Sequence, residues 1–220
     1  MTRTSIATDD FNRASLGANW TNVNTGNAGS ISIDSSTRAV GQYGVQPTNE
    51  IAEAVWAGTG SFTADQYSEV TLINPLANGG AANRQACAVR MSGTGGTRSE
   101  YQAVVQQDSA TTPTTYIAKV VSGTITILYS AAQAWANADK LSLEAEGTTL
   151  RLCRNGVPLG GGFTLTDSSV ATGTPGVAAT VAAYLDAWEG GNVSAASTGG
   201  LPLTGGGLSH SILTQGRLAA

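Results

Sequence analysis

The stretch from Lys140 to Asn155, KLSLEAEGTTLRLCRN, constrains this chain most, because its side chains alternate between apolar and polar with a period of two. Leu141, Leu143 and Ala145 interleave with Ser142, Glu144 and Glu146. After Gly147-Thr148 the alternation resumes, with Leu150 and Leu152 set against Thr149, Arg151 and Cys153. That period puts one row in a core and the other on the opposite face of a strand. Asn155-Gly156 then supplies the positive-φ turn that right-twisted hairpins prefer, so the chain should return through Val157 to Leu165. The core is predicted to be a sheet.

A chain of 220 residues suits one large all-β domain, since sandwiches and barrels reach about 200 to 250 residues undivided. Charged residues make up 12%, against about 25% in typical domains, so the surface must be mainly neutral polar. The net charge is -4, Lys119 and Lys140 are the only lysines and no basic cluster occurs. Counterion release therefore gives little drive toward nucleic acid or anionic lipid, and neither is expected as a partner. Thr2, Arg3, Thr4 and Ser5 lead straight to Asp9-Asp10 without an apolar signal segment, and no run approaches the roughly 18 apolar residues of a membrane span. A soluble chain without a cleavable export signal is expected.

The segment Thr8 to Trp20, TDDFNRASLGANW, reads as a loop pinned by Phe11, Leu16 and Trp20 and turned at Gly17. Asp-Asp-Phe-Asn-Arg-Ala followed by Leu-Gly-Ala-Asn-Trp resembles the opening of concanavalin-like (laminin-G-like) jelly-roll domains of bacterial surface and phage virion proteins. The hairpin at 140–156 fits that family's late strands, and the resemblance spans roughly residues 5–195 as a pattern. It implies no cofactor beyond a structural calcium, for which Asp9 and Asp10 are the candidate ligands. The alternative is that these two carboxylates cap and tether the loop, because calcium wants six or more oxygens and the sequence assembles no such set.

Further strands are read at Ser30–Ile33, Arg38–Tyr43, Ile51–Ala57, Gln66–Ile73, Arg84–Met91, Glu100–Gln107, Thr115–Val121, Thr124–Tyr129, Gly176–Tyr184 and Ala187–Val193. Within Ile51–Ala57, Ile51, Glu53 and Val55 oppose Ala52, Ala54 and Trp56, so either a carboxylate points inward or Trp56 points outward. An outward Trp56 would be a sugar platform; core packing is the commoner fate of such a ring. Ala131–Ala138 is the one helical candidate, a short turn with Trp135 facing the sheet. The Gly-Gly pairs at 79–80 and 95–96 lack the Gly-Lys-Ser/Thr ending of a phosphate loop and read as turns. About a dozen strands with closely spaced turns give the expected architecture: all-β, a concanavalin-like jelly-roll sandwich of two antiparallel sheets over residues 1–195.

Residues 196–220 differ in kind. Gly-Gly and Gly-Gly-Gly segments separate Leu201, Leu203, Leu208, Ile212, Leu213 and Leu218, with Arg217 the only charged side chain. This is the composition of an extended linker with aliphatic pegs, expected to anchor the domain to a neighbouring subunit or a larger assembly; the alternative is that it packs on its own domain.

Catalytic chemistry finds little support in the residues. The laminarinase-type glucanases among related jelly rolls carry Glu-x-Asp-x-x-Glu on one strand, and this chain has no such run; Glu144-x-Glu146 lacks the middle Asp and can pair with Arg151 across the hairpin. His210 is the only histidine and lies in the tail. Cys87 runs with Val89 and Met91, whereas Cys153 runs with Arg151 and Thr149; opposite faces argue against a disulfide and suit a reducing cytoplasm. A non-enzyme is expected. With the resemblance, the chain reads as a virion structural protein assembled in the host cytoplasm, a phage capsid decoration or head-fibre subunit, with a homo-oligomer and capsid or other virion proteins as partners. The alternative is a carbohydrate-binding module for a host cell-surface polysaccharide, using Trp56, Tyr101 or Trp188.

Overall fold

The computed structural model describes residues 1–24, 29–42, 51–75, 83–107 and 112–195. The first eight strands are β1 (Thr2–Asp9), β2 (Trp20–Asn22), β3 (Ser30–Ile33), β4 (Ala39–Gln42), β5 (Ala52–Trp56), β6 (Gln66–Ile73), β7 (Asn83–Ser92) and β8 (Ser99–Gln107). After them come β9 (Thr114–Val121), β10 (Thr124–Ala132), β11 (Lys140–Glu146), β12 (Thr149–Arg154), β13 (Val157–Pro158), β14 (Thr164–Thr166), β15 (Thr174–Ala179) and β16 (Tyr184–Ser194). Two antiparallel sheets result. One has nine strands, ordered β13-β12-β11-β6-β16-β4-β3, with β1 paired to β16 and β14 to β12; the other has seven, ordered β10-β9-β8-β7-β15-β5-β2.

The alternating rows meet between the sheets. Val70, Leu72, Leu141, Leu143, Leu150, Leu152 and Leu185 from the first pack against Cys87, Val89, Tyr101, Ala103, Val105, Ile117 and Val177 from the second. The hairpin that organised the sequence reading is present in register, with Leu143 opposite Leu152 and Glu144 opposite Arg151. Its Asn155-Gly156 turn has φ of 51° and 76°, the positive values that such a pair supplies at least cost. The fold is an all-β jelly-roll sandwich.

Three local readings are corrected. The helical turn expected at 131–138 is absent: Ala131 and Ala132 extend β10 opposite Thr115 and Thr114, because pairing overrides the helix propensity of alanine. Trp135 is nonetheless buried, donating its indole N–H to Thr115 Oγ1 at 2.8 Å. The polar N-terminus, unread as a strand, forms β1 along β16. On β5 the choice between Glu53 and Trp56 dissolves, because the middle of the seven-stranded sheet, from β5 through β15, β7 and β8 to β9, is buried on both faces. Trp56 lies between the sheets, while the opposite face carries a second apolar cluster of Ile51, Ala86, Val104, Tyr116, Ala118 and Ala178. Both cysteines are buried and unpaired. The anchoring tail and its pegs, Leu201, Leu203, Leu208, Ile212, Leu213 and Leu218, lie outside the described residues.

Candidate functional site

Asp9 is a loop tether. Its Oδ1 accepts the Phe11 backbone N–H at 2.7 Å and Arg13 Nη1 at 2.6 Å, and its Oδ2 accepts Arg13 Nη2 at 2.7 Å and Trp20 Nε1 at 2.6 Å. Burial alone would raise its pKa, but the bonds from Arg13, Trp20 and Phe11 outweigh that and hold the carboxyl below its usual range. A calcium ion would have to displace the guanidinium from both oxygens. Asp10 accepts the Asn12 N–H at 3.0 Å from an exposed position, and among the described residues no group of three or more His, Cys, Asp or Glu side chains could hold a metal. The capping alternative is what the geometry supports, and the calcium assignment is corrected.

The aromatic platform is corrected too. Trp56 is 7% exposed, Tyr101 0% and Trp188 1%, so none offers a ring face to a sugar. Trp188 stacks on Trp56 with centroids 5.1 Å apart and meets Trp20 edge-on at 4.8 Å, while the Tyr101 hydroxyl donates to Asp167 Oδ1 at 2.7 Å. Trp56 and Tyr101 lie on strands buried on both faces, where a ring packs into a core whichever way it points, and Trp188 lies on the inner row of β16.

Two polar constellations went unread in the sequence. The first lies on the outer face of the seven-stranded sheet, where Glu53, Arg98, Glu100 and Gln102 are all buried. Gln102 Nε2 donates to Glu53 Oε1 at 2.8 Å and to Glu100 Oε1 at 2.6 Å; Arg98 Nε lies 2.8 Å from Glu53 Oε2 and 3.6 Å from Glu100 Oε1. Burial pushes both carboxyls above their ordinary value, and the Glu100 charge adds to the rise at Glu53. Retaining and inverting glycosidases flank the scissile bond with carboxyls at least about 5 Å apart. Here both carboxyls are buried against Gln102 and Arg98, so neither faces a surface on which a sugar could lie.

The second is open. Arg3 on β1 reaches across the nine-stranded sheet with its guanidinium 4.8 Å from the centroid of the Tyr67 ring. It donates Nε to Glu144 Oε1 at 2.6 Å, Nη1 to Glu69 Oε2 at 2.7 Å and Nη2 to Ser142 Oγ at 2.8 Å. Arg151 pairs diagonally with Glu146 at 3.2 Å rather than with Glu144, which Arg3 has taken. Between them runs a cleft of about 340 Å³ lined by Met1, Arg3, Glu144, Arg151, Gly156 and Pro158. The nearby Cys153 thiol is pushed up to about 11 by burial and by the Glu144 charge, so it stays protonated and is no nucleophile. What the cleft offers is a rigid set of charge-paired donors and acceptors.

No family model and no curated protein matches the sequence. Solved structures do match in shape. The carbohydrate-binding module CBM66 from Bacillus subtilis superposes with a TM-score of 0.55 at 16% identity, over 78% of this chain and 95% of that one. The CBM2 module of the evolved Dit of Lactobacillus casei BL23 phage J-1 gives 0.55 at 13% identity, over 89% and 100%. A glycoside hydrolase family 16 endo-glucanase from Bacteroides ovatus gives 0.52 at 14% identity, over 84% and 99%. With the two-sheet topology already described, these likenesses identify the fold as a concanavalin-like jelly roll.

Proposed function

We propose that this chain is a non-catalytic saccharide-binding module of a phage virion, with the Arg3-Glu144-Arg151 cleft as its binding surface and residues 196–220 as its anchor. The observation that carries the reading is the near-complete coverage of two carbohydrate-binding modules, one of them from a phage Dit. Binding is favoured over hydrolysis because Glu53 and Glu100 are buried against Gln102 and Arg98, and Glu69 and Glu144 are both engaged by Arg3. Carboxylates and guanidinium groups held in fixed planes suit the paired hydroxyls of a sugar.

A glycan array carrying bacterial surface polysaccharides tests this directly. The full-length chain should bind at least one of them without releasing reducing ends, and Arg151→Ala should weaken that binding about tenfold or more, equivalent to about 1.4 kcal/mol. Because the Arg151-Glu146 pair is solvent-screened, the same substitution should change folding stability by less than about 1 kcal/mol. An array without signal, or binding indifferent to Arg151→Ala, refutes the cleft.

The anchor is tested separately. Light scattering should show an oligomer for the full chain and a folded monomer after truncation at Ala195. Equal masses per chain in the two samples would remove the tail from assembly.

A further inference from the structure

A different cavity forms where four segments converge: Ala64-Asp65 before β6, Arg90 in β7, the Gly147-Thr148 turn, and residues 168–171 after β14. Arg90 has φ of 55° at a bulge, where the β7-β8 register slips between Val89 and Ser92. Arg90 is 2% exposed, and its guanidinium clasps three of the segments, donating Nε to Ala64 O at 2.8 Å, Nη1 to Val170 O at 3.0 Å and Nη2 to Gly147 O at 2.7 Å. Gln66 adds a second clasp, accepting the Arg90 N–H at 3.1 Å and donating to Thr63 O and Gly173 O at 2.7 and 2.9 Å. Strained backbone held by buried hydrogen bonds is a means of pre-organising loops.

The clasp leaves polar groups over. Asp65 Oδ1 accepts the Gly147 N–H at 2.7 Å and lies 3.7 Å from Arg90 Nη2. Asp65, Thr148 and Ser168, all open to solvent, line a cavity of about 220 Å³ with their polar side chains available to a ligand. Ala64, Val170 and Ala171 supply the apolar part of the lining. An anionic ligand would meet the Asp65 carboxylate, and a cation would meet the Arg90 guanidinium beneath it. A neutral polyhydroxylated molecule meets neither penalty.

We propose that this cavity is a second saccharide subsite, taking one neutral sugar unit through Asp65, Thr148 and Ser168. It rests on the reading of the chain as a saccharide-binding module, and is independent of the cleft. Asp65 accepts a sugar hydroxyl in a charge-assisted hydrogen bond, the two side-chain hydroxyls donate or accept as the sugar requires, and the apolar lining receives its C–H face. Two sites on one rigid domain favour a polymer over its free monosaccharide without any new contact.

The test is NMR shift mapping of the full-length chain titrated separately with glucose, galactose, N-acetylglucosamine and glucuronate. With at least one neutral sugar, the Gly147 amide and the Arg90 Nε–H should shift saturably. Asp65→Asn, which keeps an oxygen for the Gly147 N–H, should weaken that response about tenfold, and Thr148→Ala should weaken it as well. Arg151→Ala should leave it intact, and glucuronate should be excluded. Saturable shifts confined to the surroundings of Arg151 and Gly156 would keep the proposed function and eliminate the subsite. Tighter binding of glucuronate would overturn the neutral class, and shifts at neither place would overturn the subsite together with the module reading.

Discussion

Trp188→Ala is expected to cost the sandwich about 3 to 5 kcal/mol, the usual range for emptying a buried indole site. The ring is nearly inaccessible and packs on both Trp20 and Trp56. Its Nε1 donates to Ser68 Oγ at 2.9 Å, and Ser68 in turn donates to Gly176 O at 2.8 Å, so the indole holds one link of a buried chain between the sheets. The strand is shaped around it: Ala187 has φ of 42° at the β16 bulge, and a Cβ on Gly190 would lie 2.4 Å from Trp188 Cζ2. Trp188→Phe keeps much of the area, loses the donor, and should cost less. Urea unfolding followed by circular dichroism measures both. A loss under about 1 kcal/mol for Trp188→Ala would mean that the cavity collapses or that the ring is not part of the core. Weakened sugar binding in Trp56→Ala should likewise track unfolding rather than the loss of a platform.

The same residues show what was legible in the sequence. The hairpins at 140–156 and around Ser122-Gly123 were readable because alternation and a positive-φ pair are both local signals; Ser122 and Gly123 do have φ of 47° and 74°. β1 was not, since TRTSIATD buries only Ala7 and Asp9 and becomes a strand by pairing with β16, the last strand in chain order. Arg3 was therefore invisible as the centre of the cleft, although its targets Glu144 and Ser142 were in view on the hairpin. Trp56 and Tyr101 were misjudged for another reason: alternation assumes one wet face per strand, and where both faces are dry, as on β5 and β8, it does not say which side a ring takes; Trp188 sits at the β16 bulge, which displaces the alternation. Bulges at Arg90 and Ala187 shift the alternation by a residue, and no periodicity announces them.

The largest electrostatic effect is expected at Arg98. Among the described residues it is the one cation paired with the carboxyls of Glu53 and Glu100, and Arg98→Met should lower stability near neutral pH by about 3 to 5 kcal/mol, because it strands buried acids rather than removing a surface pair. Adding Glu53→Gln to Arg98→Met should recover much of that loss, whereas a merely steric role for Arg98 would leave the double variant as unstable as the single one. The pH profile gives an independent check. Burial raises both carboxyls above 4.5 in the folded chain, so the folded state keeps a proton that the unfolded chain releases near that value. Stability contributed by this pair is complete below about pH 4.5, falls as pH rises toward the folded pKa, and levels off beyond it. The lowered carboxyls of Asp9, Asp34, Asp139 and Asp167 act oppositely, their contribution being lost as pH falls below about 3.8, so the two windows do not overlap. Glu53→Gln should therefore flatten the decline above pH 4.5 and leave the acid limb unchanged. A wild-type profile that is already flat above that pH would show that water reaches the pair and that both carboxylates ionise freely, in which case Arg98 holds an ordinary exposed ion pair and its removal should cost under about 1 kcal/mol.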